Sequence, residues 1–377
     1  SHSEGGSTTA NGICSHAEGF HTHANGQYSH AEGNNTTAES TSSHAEGERT
    51  KAIGQSSHAE GVSSYASGIG SHAEGNSTYA NGLISHAEGN VTYANGQYSH
   101  AEGNGTTANG SSSHAEGDST TANESNSHAE GFYTYANGLY SHAEGNNTIA
   151  ESNSAHAEGE RTKAIGQSSH AEGEYSKAIG QSSHAEGVSN YAGGFGSHAE
   201  GNGTYANGVS SHSQGVSTYA NGEGSFASGN NTTAQSNFSS SFGISTYANG
   251  IGSVSEGNNT SSYGEFSHSS GVGTIARGSY SSTDGFYTVS KNKTEVGHGT
   301  YNRSYYSANG FLVENNDTNK IPNEFARVGN RYLPGRYPNG TADPTTGTYF
   351  YDSSYETIFT IGNGGTGDTS KGPDPLY

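Results

Sequence analysis

Residues 57–98 read SHAEGVSSYASGIG, SHAEGNSTYANGLI and SHAEGNVTYANGQY, which are three consecutive copies of one 14-residue unit. The unit recurs without a change of register from Ser1 to Thr294, in twenty-one copies. Its consensus is Ser-His-Ala-Glu-Gly at positions 1–5, with Thr at 8, Ala at 10 and Gly at 12, and position 5 is Gly in every copy. A short period without insertions is typical of a solenoid, in which each unit forms one turn that contacts its neighbours.

The composition agrees with a repeat protein rather than an ordinary globular domain. Only 28% of the 377 residues are hydrophobic, 58 are Gly, and the formal net charge is −21. These values are typical of disordered chains, but a disordered chain has no reason to keep one register over 294 residues. The single cysteine, Cys14, excludes an intrachain disulfide. With 14 basic against 35 acidic residues and no apolar run of membrane-spanning length, we expect neither nucleic-acid binding nor membrane insertion in this segment.

A fourteen-residue turn suits two short strands and two tight bends. The small residues fall at positions 1, 3 and 5 and again at 8, 10 and 12. Because strand side chains alternate between faces, both trios are predicted to point into one narrow interior. Gly at positions 5 and 12 is predicted where the backbone bends or needs a positive φ. The sequence therefore predicts an all-β fold, a parallel β-roll or solenoid of 14-residue turns.

The two predicted sheets present different outer faces. The first carries His at position 2 and Glu at position 4 in all of the first fifteen units, from His2 and Glu4 to His198 and Glu200. The second carries a variable position 9, rich in Tyr and Thr, and an Asn-rich position 11. A face this uniform is predicted to contact something with the same repeat, such as another copy of the chain.

The Ser-Xaa-Ala-Xaa-Gly strand followed by a Thr-Xaa-Ala-Xaa-Gly strand resembles the head repeats of YadA-like trimeric autotransporter adhesins. It resembles more closely the SHAEG variants of tail-fibre-like proteins of phages and prophages. The resemblance spans about 294 of the 377 residues. It implies a left-handed β-roll and a side-by-side homotrimer around a threefold axis. The adhesins usually carry aliphatic residues at positions 2 and 4, so the axis of this trimer would be polar.

We therefore expect the His and Glu side chains to face the trimer axis. An imidazole could donate to a carboxylate of a neighbouring chain or of the adjacent turn, and a nearby carboxylate favours the imidazolium. Acid is then expected to dissociate the trimer. The candidate axial residues are His16, Glu18, His30, Glu32, His44, Glu46, His58, Glu60, His72, Glu74, His86 and Glu88.

Tyrosines are the candidate ligand-binding residues, because their rings can stack on sugar faces while neighbouring Asn side chains bind hydroxyl groups. A solvated, strand-favouring exterior is the simpler interpretation of the same pattern. The candidates are Tyr65, Tyr79, Tyr93, Tyr205 and Tyr219 on the second sheet, and Tyr332, Tyr337 and Tyr349 near the C-terminus.

No enzyme, cofactor or metal site is expected. The His-Xaa-Glu spacing also occurs in zinc deaminases, but those need a Pro-Cys-Xaa-Xaa-Cys motif that this chain lacks. A regular ladder has no distinct open site of the kind that catalysis requires. Imidazoles and carboxylates in an array could bind transition metals, although a hydrogen-bonded interface is the simpler interpretation.

The chain is predicted to have two parts. The β-roll covers residues 1–294, and its pattern decays from residue 211, where position 2 becomes Phe226, Ser240 and Val254. Residues 295–377 contain all six prolines and clustered aromatics, and are predicted to form a small β-rich cap with strands at 310–314 and 357–362. Terminal segments of a repeat array must differ in order to close its exposed edges.

These features predict a structural, extracellular trimeric fibre whose partners are its own copies and a host cell-surface glycan or protein receptor. The expected form is a phage-type tail fibre, with the chain acting as a shaft or head on the virion tail. One alternative is a bacterial surface adhesin or extracellular filament subunit. An alternative of another class is a glycan-degrading tail-spike enzyme.

Overall fold

The computed structural model describes residues 1–300 and 359–362. The chain divides into two units, Ser1–Asn190 and Tyr191–Tyr377. The described residues form strands, bends and turns and contain no helix. None of them accordingly belongs to a helix with the length and apolarity needed to cross a membrane.

Each turn of the first unit has one long and one short strand, numbered here in chain order. The five-residue strands occupy positions 2–6 and are β1 His2–Gly6, β3 His16–Phe20, β5 His30–Asn34, β7 His44–Glu48, β9 His58–Val62, β11 His72–Asn76, β13 His86–Asn90, β15 His100–Asn104, β17 His114–Asp118, β19 His128–Phe132, β21 His142–Asn146, β23 His156–Glu160, β25 His170–Glu174 and β27 His184–Val188. The two-residue strands occupy positions 9 and 10 and are β2 Thr9–Ala10, β4 His23–Ala24, β6 Thr37–Ala38, β8 Lys51–Ala52, β10 Tyr65–Ala66, β12 Tyr79–Ala80, β14 Tyr93–Ala94, β16 Thr107–Ala108, β18 Thr121–Ala122, β20 Tyr135–Ala136, β22 Ile149–Ala150, β24 Lys163–Ala164 and β26 Lys177–Ala178.

The second unit repeats the same pattern. Its longer strands are β29 His198–Asn202, β31 His212–Val216, β33 Phe226–Asn230, β35 Ser240–Ile244, β37 Val254–Asn258, β39 His268–Val272, β41 Ser282–Phe286, β43 Val296–Thr300 and β44 Phe359–Gly362. Its short strands are β28 Tyr191–Ala192, β30 Tyr205–Ala206, β32 Tyr219–Ala220, β34 Thr233–Ala234, β36 Tyr247–Ala248, β38 Ser261–Ser262, β40 Ile275–Ala276 and β42 Val289–Ser290.

Within each unit, a strand pairs in parallel with its equivalent one turn further on. His16 is opposite His30, and Tyr65 is opposite Tyr79. Every position of the repeat therefore forms a ladder of equivalent residues, spaced by about 4.8 Å as in any β-sheet. This confirms the predicted all-β parallel solenoid of 14-residue turns.

The parallel pairing continues beyond the predicted end of the repeats at Thr294. Strand β43 pairs with β41 in the 14-residue register, with Ser282 opposite Val296. Strand β44 then pairs with β43, with Val296 opposite Phe359. A strand at 359–362 agrees with the one predicted at 357–362, whereas the predicted strand at 310–314 lies outside the described residues.

The interior is as narrow as the small residues require. Ala at positions 3 and 10 and Thr at position 8 are buried, and Ala17, Thr22 and Ala24 are 0% exposed. Ser at position 1 is also buried in most turns, and in most of them its hydroxyl donates to the carbonyl of the bend that precedes it, as from Ser15 Oγ to Gly12 O at 2.8 Å. The Ser that opens each SHAEG motif is therefore a structural residue.

Gly at position 5 is required by the contact between turns. Gly103 has φ +116, and a Cβ built there would lie 2.0 Å from the carbonyl oxygen of Gly117, one turn further on. At position 12, Gly12 and its equivalents lie in a bend, as predicted, and do not have positive φ values. The left-handed residues of the bends are instead at positions 7 and 14, such as His21 (φ 54) and Tyr28 (φ 57).

Replacing the position-5 glycine is expected to destabilise the turn severely. In Gly103→Ala the new methyl group would overlap the Gly117 carbonyl oxygen in a left-handed conformation, so we expect a loss of more than about 3 kcal/mol in the free energy of unfolding. Thermal melts followed by circular dichroism measure this loss. The matched control is Gly105→Ala, which has φ +67 and no atom closer than 3.7 Å to the added Cβ. Its expected cost is about 1 kcal/mol, and equal losses in the two variants would contradict the steric account.

Candidate functional site: the His/Glu ladder and the second-sheet ladders

The long strands place His and Glu side by side on the outer face. Ala at position 3 points inward, so positions 2 and 4 point outward. In the first unit, thirteen consecutive strands from His16 to His184 carry this pair, and we call the surface the His/Glu ladder. Its His side chains are 34–41% exposed and its Glu side chains 36–52% exposed. The twelve axial candidates predicted from the sequence all lie on it.

The imidazoles form a continuous stack. From His16 to His114, consecutive ring centroids lie 4.6–5.0 Å apart and the ring planes agree within 7°. The stack tilts between His114 and His128, where the interplanar angle is 57°, and then resumes towards His184. Stacking of this kind follows directly from the 14-residue register.

Each imidazole contacts the carboxylate two residues further along its own strand. The distance from His Nε2 to Glu Oε2 is 3.3 Å for His58 and Glu60 and 4.0 Å for His86 and Glu88. A contact with the adjacent turn occurs in the second unit, where Nε2 of His268 lies 3.4 Å from Oε1 of Glu256, and donation to a neighbouring chain stays a prediction. Nε2 is shielded from solvent and makes no hydrogen bond in the twelve histidines from His16 to His170.

Burial lowers the pKa of several histidines of the ladder. Loss of hydration is the largest cause, and neighbouring imidazoles add to it in the first unit, while the Glu carboxylates act in the opposite direction without overcoming it. The residues with a lowered pKa are His30, His58, His86, His114, His142, His156, His170 and, in the second unit, His212. The carboxylates thus favour the imidazolium as predicted, but burial outweighs them in these histidines of the single chain.

Acid is expected to destabilise the fold through these histidines. Because their pKa is lower in the folded chain than in the unfolded chain, the unfolded chain binds more protons, and stability falls as pH drops below about 6.5. We expect the melting temperature to fall between pH 7 and pH 5, and imidazole NMR titrations to give pKa values below the ordinary value. A variant with His30→Ser, His58→Ser and His86→Ser should lose less stability over that range, since Ser240 occupies the same position naturally. Imidazole pKa values above the ordinary one would contradict this account.

The second-sheet tyrosines stack on one another. Tyr65, Tyr79 and Tyr93 have centroids 5.1 and 4.9 Å apart, and Tyr205 and Tyr219 lie 4.9 Å apart. Burial and the two neighbouring tyrosines raise the pKa of Tyr79. Both faces of the Tyr79 ring are covered, so a sugar could stack only at an end of the row. Tyr332, Tyr337 and Tyr349 lie outside the described residues.

Asn side chains at position 11 form a hydrogen-bonded row along the second sheet, which was not predicted from the sequence. The Nδ2 atom of Asn95 donates to Oδ1 of Asn109 at 2.9 Å, and Asn109 donates onward to Asn123 at 2.9 Å. The row runs from Asn81 to Glu151, with a second one from Asn207 to Gln235. The recurrence of Asn at one position of the repeat is the sequence feature from which this row could have been predicted. Each amide within the row uses one donor and one acceptor to bind its neighbours. These are groups that were predicted to bind sugar hydroxyls.

Stacked 14-residue turns with one uniform outer face define the chain as a parallel β-solenoid of structural repeats. Two segments, residues 101–123 and 157–183, match the YadA head domain repeat. The resemblance to YadA-like heads that the sequence predicted is thereby confirmed. No curated protein matches the chain.

Proposed function

We propose that this chain is a structural, non-enzymatic subunit of a trimeric adhesin-type fibre outside the cell, and that three chains meet along the His/Glu ladder. The YadA head repeats and the β-solenoid support the adhesin type. In the family that the repeats resemble, three left-handed rolls pack side by side.

The observation that carries this proposal is the uniformity of one face beside the variability of the other. Over thirteen consecutive turns, positions 2 and 4 are always His and Glu. Over the same turns, position 9 of the second sheet varies among His23, Thr37, Lys51, Tyr65 and Ile149. Folding of a single chain requires only the interior positions, so a uniform outer face favours a partner with the same period.

The composition of the interior also favours association. The buried hydrophobic residues of the described chain are all Ala. Burial of a methyl or methylene group contributes about 0.8 kcal/mol, so each turn gains little from its own core. Side-by-side packing of three chains would bury the half-exposed imidazoles and add buried surface that the Ala core does not provide.

A trimer with this axis must neutralise the carboxylates that it brings together. Nε2 of each imidazole already faces the Glu of its own strand. The other ring nitrogen, Nδ1, is the atom through which an imidazole would donate to a Glu of another chain. Paired in this way, each buried carboxylate would gain a hydrogen bond from the neighbouring chain.

The non-enzymatic part of the proposal follows from the repetition. Glycoside hydrolysis needs two carboxyl groups in different environments, one to donate a proton and one to act as base or nucleophile. The ladder gives each Glu nearly the same surroundings and a similar exposure. Nothing in that arrangement distinguishes an acid from a base.

Within this class, the SHAEG pattern favours a phage-type tail fibre, with the chain as a shaft or head that presents a receptor-binding surface. A bacterial surface adhesin or extracellular filament subunit is the alternative. Tyr93 supports glycan binding, because one ring face meets Tyr79 while the next turn carries Thr107, which has no ring to cover the other face.

The trimer is tested by light scattering on the full chain at pH 7.5. The expected mass is three times the chain mass of 38.7 kDa. In a variant with His58→Glu, His86→Glu and His114→Glu, added carboxylates at the axis should repel one another, and we expect dissociation to monomers. The matched control, with Thr107→Glu, Thr121→Glu and Ile149→Glu, adds the same charge to the second sheet and should remain trimeric. A monomeric wild-type chain would contradict the proposal, and dissociation of both variants alike would contradict the axial assignment.

Glycan binding is tested on a glycan array with the wild-type chain and Tyr93→Ser, a replacement that occurs naturally at this position as Ser261. Loss of one stacked ring should weaken binding to any glycan recognised by the wild-type chain by about 10-fold. Tyr175→Ser, at a bend, is the control and should bind normally. Unchanged binding by the Tyr93 variant would remove Tyr93 from the receptor surface.

A further inference from the structure

The His/Glu ladder brings together groups of donor atoms that suit a metal ion. In each group, a ring nitrogen of one His, a carboxylate oxygen of the Glu on the same strand and a ring nitrogen of the His one turn further on lie within 4.8 Å of one another. Five such groups are His44/Glu46/His58, His58/Glu60/His72, His72/Glu74/His86, His156/Glu158/His170 and His170/Glu172/His184. Two imidazole nitrogens and one carboxylate oxygen form a donor set typical of zinc and related divalent ions.

An independent observation is that these imidazoles carry unsatisfied nitrogen atoms. Nε2 of His44, His58, His72, His156 and His170 is shielded from solvent and has no hydrogen-bond partner. A shielded polar atom without a partner is costly and calls for an explanation. Nε2 faces the carboxylate oxygens, which is the side from which an ion would bind.

The charge of the surface favours a cation as well. Glu46, Glu60 and Glu74 stand opposite one another on consecutive strands, with like charges separated by about one strand spacing of 4.8 Å. The chain contains 35 acidic and 14 basic residues, so few side-chain cations are available to compensate. A divalent ion between two turns would neutralise this repulsion and use the unsatisfied nitrogens.

We propose that the His/Glu ladder of a single chain binds divalent transition-metal ions of the Zn²⁺ class, each held by the histidines of two consecutive turns and the Glu of the first. Binding is a property of one chain, and it depends on neither the trimer nor a receptor. The sequence favoured a hydrogen-bonded interface over a metal site, and within one chain Nε2 of these ladder histidines has no hydrogen-bond partner.

Binding requires a small convergence of the side chains. Zinc–nitrogen and zinc–oxygen bonds are about 2.0–2.2 Å long, so tetrahedral ligand atoms lie about 3.4 Å apart. The stacked rings of His58 and His72 have centroids 4.7 Å apart and must tilt towards one another. The imidazole torsion about Cβ–Cγ is broad and permits such a tilt. A fourth coordination position is left for water.

Sharing of histidines limits the number of ions. One Nε2 atom binds one ion, so His58 cannot serve two groups at once, and the same holds for His72 and His170. The five groups can therefore hold three ions at the same time. Occupied and unoccupied gaps between turns would alternate along the ladder.

The experiment counts Zn²⁺ ions on the full chain, purified without a histidine tag and stripped with a chelator. After equilibrium dialysis against Zn²⁺ at pH 7.5, elemental mass spectrometry should find at least three ions per chain. Co²⁺ in place of Zn²⁺ should give the intense visible absorption of a tetrahedral site. Light scattering on the same samples reports the trimer separately, so failure of one proposal is distinguishable from failure of the other.

The test variant is His58→Ser with His72→Ser and His170→Ser, which removes a ligand from all five groups. It should lose three ions. The matched control is His2→Ser with His21→Ser and His23→Ser, which removes three histidines outside these groups and should lose none. Ser occurs at the same repeat positions elsewhere in the chain, as Ser240, Ser7 and Ser261, so both variants are expected to fold.

A second variant changes only the carboxylates, with Gln replacing Glu46, Glu60, Glu74, Glu158 and Glu172, as Gln214 does naturally in its own turn. Its Zn²⁺ affinity should fall by about 10-fold or more, as expected when a ligand is lost. A wild-type chain that binds no Zn²⁺, or equal ion counts in the test and control variants, would overturn the proposal.

Discussion

The structure depends on the contact between successive turns at position 5, where the backbone of one glycine lies against the carbonyl group of the next. Between Gly103 and Gly117 there is no room for a Cβ atom. A turn with one residue more or fewer would place a side chain in that gap. The 14-residue period is thus enforced by steric exclusion at each turn, and the Ala interior fits around the same close approach.

A fixed register gives every outward side chain a neighbour of its own kind, and the consequences differ with chemistry. Asn gains from this arrangement, because an amide donates to the next amide and accepts from the previous one, as from Asn95 through Asn109 to Asn123. The imidazoles stack with nearly parallel rings, as between His16 and His30 at 5.0 Å and between His44 and His58 at 4.6 Å. Glu gains nothing, since each carboxylate meets another carboxylate. Repetition therefore leaves both charge and hydrogen-bonding capacity unsatisfied on the His/Glu ladder, and both proposals made for the chain address it.

The sequence predicted the parts of the fold that follow from periodicity. The strands, their parallel register, the buried Ser, Ala and Thr positions and the outward His and Glu all follow from a period of 14 combined with alternation along a strand. It could not predict that His21 and Tyr28, rather than Gly12, take the left-handed conformation, because bend geometry depends on how the chain reaches the next turn. It also could not predict the lowered pKa of His58, which is set by a balance between burial, two neighbouring imidazoles and two carboxylates.

The central claim is that the uniform face of the repeats is where chains meet. An experimental structure of the full chain at neutral pH, by electron cryomicroscopy, would test it most directly. The account predicts three chains whose ladders from His16 to His184 face one another around a common axis, with the second-sheet tyrosines outside. A trimer with the His/Glu ladder turned to solvent would contradict it.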